Sequence, residues 1–384
     1  MKMIIYLCNV LNYVDDFKYF ISGGSIINTY LSKKIKIISL ISIIMVVYLH
    51  SYNLNTSFLN NPNITGFDLN SFVQEFITNG ITRIAVPLFF CISGYLFFLN
   101  FKPSLNSFLI KYKKRFFSLL VPFLFWSILG VLFYFLIQSI IFPKEIITSN
   151  LIRSYSIKKL INTIFIDLIP YQLWFISELL KIVIFSPIIY FYISRFSYFS
   201  IAPFLLFWFF DIDILVLRTD GILFFIFGAF LAIKGLELDI LKIESKKIRR
   251  LFPFIWIVIL VLMTYLKLKG VPNDYYLNKI STIIGIFTIW FNYDLIIQNK
   301  WIEDKLLYLS SFTFFIFASH EPILSMLKRL ILKSVGISSF TNLFVYLIAP
   351  VIIITSSVIV ATILKKNAYW FYNIITGGRS NKIK

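Results

Sequence analysis

The stretch from Lys33 to Asn53 reads KKIKIISLISIIMVVYLHSYN, three lysines followed by an apolar run that closes on His50. Roughly 20 helical residues at about 1.5 Å each cross a hydrocarbon core about 30 Å thick. The run is therefore long enough to enter a bilayer, and its lysines mark the edge from which it enters. An imidazole at the far end is costly in hydrocarbon. His50 is one of only 2 histidines in the 384 residues. It reads either as an anchor at the membrane surface or as a functional group within the membrane.

The rest of the chain has the same character. At 59% hydrophobic and 14% charged, with a mean hydropathy of +0.83, it is more apolar than a soluble domain, whose apolar share is nearer half. The fold expected is all-α, a polytopic bundle of transmembrane helices. The formal net charge of +19 fits cytoplasmic loops rich in Lys and Arg. A nucleic-acid partner is excluded, since no basic soluble domain interleaved with aromatics is present. Cys8 and Cys91 stand far apart, one in the N-terminal tail and one in an apolar run, so neither a disulfide framework nor a metal site is expected.

Apolar runs near 36–53, 80–100, 116–141, 171–193, 198–217, 221–235, 251–268, 280–298, 306–327 and 341–364 make about ten candidate spans. Asp211, Asp213, Arg218 and Asp220 crowd the junction of the fifth and sixth. With both termini cytoplasmic, most Lys and Arg fall on the inner side. The exception is Lys328, Arg329 and Lys333, beyond the ninth run on the outer side. Three segments are expected: a cytoplasmic tail at 1–32, a membrane domain at 33–370 and a basic tail at 371–384. The linker between Phe142 and Pro170 is expected to form a small lid on the outer face.

Depth follows from helical rise. His50 lies beyond Lys36, and His320 beyond Lys305, by spacings that place both roughly 21 to 23 Å from the inner face. Arg83 opens the second run and Glu178 lies about two turns into the fourth, both from the outer side. Such groups should face the bundle interior and pair with one another or with water, in a polar cavity open to the outer face. Histidine suits general base catalysis, and a carboxylate such as Glu178 would orient it. Lys181, three residues on, is equally placed to neutralise Glu178. Either histidine alone also reads as an interhelical polar clamp. Two at one depth, with Arg83 and Glu178, favour function. Glu321 follows His320 but points about 100 degrees away from it. The cytoplasmic run Lys111 to Arg115 reads mainly as a topology signal beside anionic lipid, and secondarily as a phosphate receiver.

Six segments in order resemble the integral-membrane acyltransferase 3 family, whose members O-acylate cell-surface carbohydrates. They are VVYLHSYN, RIAVPLFFCISGYLFF (Arg83 to Phe98), KKRFFSLLVPFLFW (Lys113 to Trp126), LWFISELLKIVIFSP (Leu173 to Pro187), LFFIFGAFLAIKG (Leu223 to Gly235) and FFIFASHEPIL (Phe314 to Leu324). The resemblance runs from about Lys33 through the tenth run. It implies that His50 matches the family's essential histidine. It also implies that an acyl group, often acetyl from acetyl-CoA as co-substrate, passes to a sugar hydroxyl at the bacterial inner membrane.

Glu178, His320 and Glu321 match positions carried by a subset of the family, a match that does not fix their roles. From their chemistry Glu178 is expected to be the orienting carboxylate, and Arg83, His320 and Glu321 positioning or transition-state groups. Lys36, Lys113, Lys114 and Arg115 are the donor-side candidates. One departure is visible. The family usually carries Arg or Lys eleven positions before its histidine, and here Ser39 stands there, with Lys36 one turn nearer the cytoplasm on the same face. The rival expectation is a glycan or small-anion transporter or flippase, which would need paired broken helices and an inverted repeat.

Overall fold

The computed structural model describes residues 29–54, 68–140, 151–214, 216–236, 238, 245–271 and 274–379. The expected N-terminal tail, residues 142–150 of the 142–170 linker and the last residues of the basic tail lie largely outside them. The described chain is built of helices, with one isolated β-bridge between Ile214 and Leu217.

Five helices are long and apolar enough to cross a membrane: α1 (Thr29–Ser51), α2 (Leu69–Phe98), α3 (Leu105–Ser139), then Lys247–Leu268 and Ser339–Asn367 further on. Helix α4 (Ile157–Phe165) lies in the described part of the expected lid, residues 151–170. Helices α5 (Tyr171–Ile184) and α6 (Ser186–Ser200) would together make a sixth span, but they bend by 62° where Pro187 opens α6. Then come α7 (Ala202–Phe209), α8 (Thr219–Ile233), α9 (Lys246–Leu268) and α10 (Asp274–Phe291). The run expected at 306–327 is broken into α11 (Lys300–Ser310), α12 (Thr313–Ser319) and α13 (Ile323–Val335), the last starting directly after Pro322. Helix α14 (Ser339–Asn367) and the short α15 (Tyr369–Ile375) end the described chain. The ten apolar runs thus become five continuous membrane-length helices, one bent pair and shorter pieces.

Helices α1 and α2 form the centre, with Ile37, Ile38, Val47, Ile84, Phe90 and Phe97 fully enclosed. Helix α2 packs against α8 backbone to backbone. A Cβ on Gly94 would sit 2.0 Å from the Phe225 carbonyl oxygen, and one on Gly228 would sit 1.9 Å from that of Cys91. Only glycine permits this approach, which is how membrane helices gain packing contact without a hydrophobic driving force. Gly94 and Gly228 therefore join the two helices. Within α2, Phe76–Gly80 is π-wound and Ile81–Ile84 is a 3-10 turn. Such local rewinding is common at functional sites, and Arg83 lies within the 3-10 turn.

The C-terminal end of α1 is pinned to α14 and to α2. Ser51 Oγ donates to the Tyr346 carbonyl at 2.9 Å, Asn53 Nδ2 donates to the Asn342 carbonyl at 3.0 Å, and Gln74 Nε2 donates to Asn53 Oδ1 at 2.7 Å. In a medium without water the Ser51 hydroxyl also supplies the donor that the Tyr346 carbonyl lacks, because Pro350, four residues on in α14, has no N–H. Together these bonds fix the height and rotation of His50.

Candidate active site

One face of α1 lines a cavity of about 810 Å³. Lys36, Ser39, Ile43, Val46 and His50 all border it, a spacing of three and four residues that makes one stripe along the helix. From Lys36 to His50 that stripe is about 21 Å long.

The two ends of the cavity differ in chemistry. At the Lys36 end the wall carries Arg115, Ser310, Ser311, Thr313, Thr376 and Arg379. At the His50 end it carries Arg83, Gln172, Trp174, Trp208, Asp211, Arg218, Asp220, Tyr275, Asn278 and Lys279. Lys279 ties the latter wall together. Its ammonium lies 3.7 Å from both Asp211 and Asp220 and 4.5 Å from the Trp208 ring centre, while Arg218 lies 4.8 Å over Trp174. Between the ends the wall is apolar, with Ile43, Val46, Phe89, Ile92 and Phe317 among its residues.

His50 projects from the last turn of α1 into this space. The His320 ring lies beside it, centroids 5.3 Å apart, and the Tyr171 ring meets it edge-on at 4.7 Å. His320 is fully buried behind His50, with Nδ1 3.1 Å from the Ile316 carbonyl oxygen. A carbonyl only accepts, so Nδ1 carries the proton and Nε2 is a bare lone pair. Among the described residues that Nε2 has no partner. Tyr171 donates its hydroxyl to Glu321 Oε1 at 3.0 Å, and Ser325 donates its hydroxyl to the same oxygen at 2.9 Å and its N–H to Oε2 at 3.2 Å. Gln172 Nε2 donates to the carbonyls of Ala318 at 3.1 Å and Glu321 at 3.2 Å. The His320–Glu321 segment is thereby fixed against the start of α5.

The sequence-derived residues sort as follows. His50 and His320 are in ring contact, and Glu321 reaches His50 only through Tyr171. Arg83 lines the same end of the cavity, beside Asn79, whose side-chain amide oxygen Oδ1 accepts from its guanidinium. Glu178 is elsewhere. Its Oε1 accepts from the Arg218 N–H at 2.6 Å and its Oε2 from Lys181 at 3.0 Å, so it holds the loop before α8 and does not orient His50. At the far end Lys36 and Arg115 line the cavity, whereas Lys113 and Lys114 are exposed on the other side of α3 and do not.

Several residues at the candidate site escaped sequence reasoning. Tyr171 and Gln172 carry no charge, and Arg379 lies in a tail with no apolar run. Lys328 was visible only as a misplaced cation. Its ammonium donates to the His50 carbonyl at 2.6 Å and the Tyr52 carbonyl at 3.3 Å.

A family model described as an acyltransferase domain, acyltransferase 3, matches residues 34–365. The chain belongs to this family. Acyltransferase 3 membership also accounts for the multi-pass helical membrane architecture. The chain is similar to the succinoglycan biosynthesis protein ExoH of Rhizobium meliloti (strain 1021), at 25% identity over 359 residues, 91% of this chain and 93% of that protein. No solved structure matches it. In the acyltransferase 3 frame the cavity offers what acyl transfer requires: a base with a free approach, donors nearby, and separate room for two substrates.

Proposed function

We propose that this protein moves an acyl group, acetyl being the expected one, from acyl-CoA to a hydroxyl of a cell-envelope or exported carbohydrate. It would act in the bacterial cytoplasmic membrane, with ten membrane-crossing segments, both termini and the Lys36 end of the cavity on the cytoplasmic side. The observation that carries this reading is the single cavity joining a cationic end to His50 along α1. An acyl-pantetheine arm could extend through the apolar middle while its charged head stays at the Lys36 end. The aromatic and acidic wall at the other end suits a sugar, whose ring faces stack on Trp and whose hydroxyls donate to Asp and accept from Lys. The similarity to a protein of succinoglycan biosynthesis favours a polysaccharide acceptor.

The chemistry then closes without a cofactor. His50 removes the acceptor hydroxyl proton as its oxygen attacks the thioester carbonyl. Arg83 stabilises the negative charge that develops on the carbonyl oxygen. Collapse of the tetrahedral intermediate breaks the carbon–sulfur bond, and the thiolate takes the proton back from the imidazolium. The bare Nε2 of His320 beside His50 is suited to orient that ring. The bent α5–α6 pair would also serve a transporter, and uptake into proteoliposomes without any acyl donor would favour that rival.

The direct test uses membranes supplied with labelled acetyl-CoA and cell-envelope glycan. His50→Ala should lower transfer by at least about 100-fold, the low end of a general base's contribution, while the purified variant still elutes as folded protein. Undiminished glycan labelling would overturn the assignment.

A further inference from the structure

The last described residue, Arg379, lines the cavity. After α14 the chain reverses and α15 runs back along the bundle, burying Tyr372 and Ile375. Trp126 Nε1 of α3 donates to the Ile375 carbonyl at 2.9 Å, and the Tyr372 ring packs on Phe315 at 5.7 Å. The following turn passes through Gly377 at φ +66, where a Cβ would lie 2.4 Å from the Ser118 carbonyl oxygen. A side chain there would be both strained and obstructed. This turn lies against α3 one helical turn past Arg115. From it Arg379 enters the cavity wall, with Nη1 donating to the Thr376 carbonyl at 2.8 Å and the guanidinium 4.3 Å over the Phe314 ring.

Arg115 lies on the same end of the cavity, 5.6 Å over the Phe97 ring. Two guanidinium groups are thus brought together, and among the described residues neither forms an ion pair with a carboxylate. The arrangement is unfavourable as it stands. Enclosure by protein and then repulsion from Arg115 pull the Arg379 guanidinium down to about 9, although it remains open to cavity solvent and cationic at neutral pH. Topology signalling needs basic residues at a membrane edge. It does not need one folded back by a buried helix, a tryptophan hydrogen bond and an obligatory glycine. A bidentate anion between the two forks resolves the repulsion, and guanidinium geometry matches phosphate.

We propose that Arg379 and Arg115 form a phosphate grip for the head of the acyl donor, supplying from the C-terminal turn a cation that Ser39 does not supply from α1. The proposal rests on the acyl-CoA reading above and assigns that donor its anchoring residues. A phosphate could equally belong to a lipid headgroup, so the test must separate the two.

The full-length protein is reconstituted in phosphatidylcholine nanodiscs and titrated with acetyl-CoA by calorimetry. Relative to wild type, Arg379→Gln and Arg379→Ala should weaken binding by about tenfold or more, and Arg379→Lys by less. The Gln variant retains a donor toward Thr376 and should unfold at the wild-type temperature. Adenosine 3′,5′-diphosphate should compete with acetyl-CoA on wild type and lose potency in parallel on the variants. Unchanged acetyl-CoA affinity in the folded Gln variant overturns the grip while leaving the donor reading intact. A defect that appears only when phosphatidylglycerol is added to the discs assigns the pair to lipid and overturns it as well. Failure of wild type to bind acetyl-CoA overturns the donor reading, and the grip with it.

Discussion

Lys328 sits at the residue scale of the problem, because its ammonium reaches the carbonyls that close α1. Those of His50 and Tyr52 have no further helical turn to receive them, and a cation at a helix C-terminus also opposes the helix dipole. Replacing the lysine by a methionine of similar length leaves two carbonyls without their donor, at about 1–3 kcal/mol. Lys328→Met should therefore lower the thermal midpoint of the purified protein and reduce transfer by freeing the His50 backbone. If midpoint and activity both match wild type, the lysine does not hold the catalytic turn. This also explains a charge that defied the topology rule, since Lys328 is placed by a buried bond rather than by a membrane surface. Glu178 teaches the opposite lesson. Its depth was readable from helical rise, but depth says nothing of direction around the helix, and packing turned it toward Arg218 and Lys181.

At the element scale the α2–α8 contact carries the architecture, because the site is assembled from helices on either side of it. Helix α2 presents Arg83 and the apolar wall, while Arg218 directly before α8 and Asp220 in its first turn reach the cavity. The backbones already touch at Gly94 and Gly228. A methyl at Gly228 must push the helices apart and disturb the Phe225 packing on Phe97 and Phe98. Gly228→Ala should cost at least about 3 kcal/mol, seen as a lowered thermal midpoint and a smaller monodisperse fraction in size-exclusion chromatography. A variant with wild-type midpoint and yield would show that the contact is looser than described. The apolar runs of α1, α2, α3, α9 and α14 were legible because a membrane-length helix needs only local hydrophobicity. The runs at 171–193 and 306–327 broke where Pro187 and Pro322 interrupt helical geometry, and their pieces bring Trp174, Gln172 and His320 to the site.

At the scale of the whole molecule, the cavity makes a prediction about access. In the proposed orientation its Lys36 end meets the cytoplasm and its His50 end the exterior. With Cys8 and Cys91 replaced by serine, Ser310→Cys should react with a membrane-impermeant maleimide only in inside-out vesicles, and Asn278→Cys only in right-side-out vesicles. Labelling of both from one side would overturn the transmembrane arrangement of the two ends.

The sequence by itself determined that this is a helical membrane protein of the acyltransferase 3 family, with His50 at the end of its first span. Hydropathy is a local sum, depth follows from a fixed rise per residue, and family segments are read in order along the chain. Only the tertiary structure decided that His50 faces His320 and Tyr171 rather than Glu178, that Lys328 closes α1, and that Arg379 returns to the cavity beside Arg115. Those partners lie on different helices, many of them far apart in sequence. Which side chains meet depends on how each helix is rotated and broken against its neighbours, and no local property of the chain carries that information.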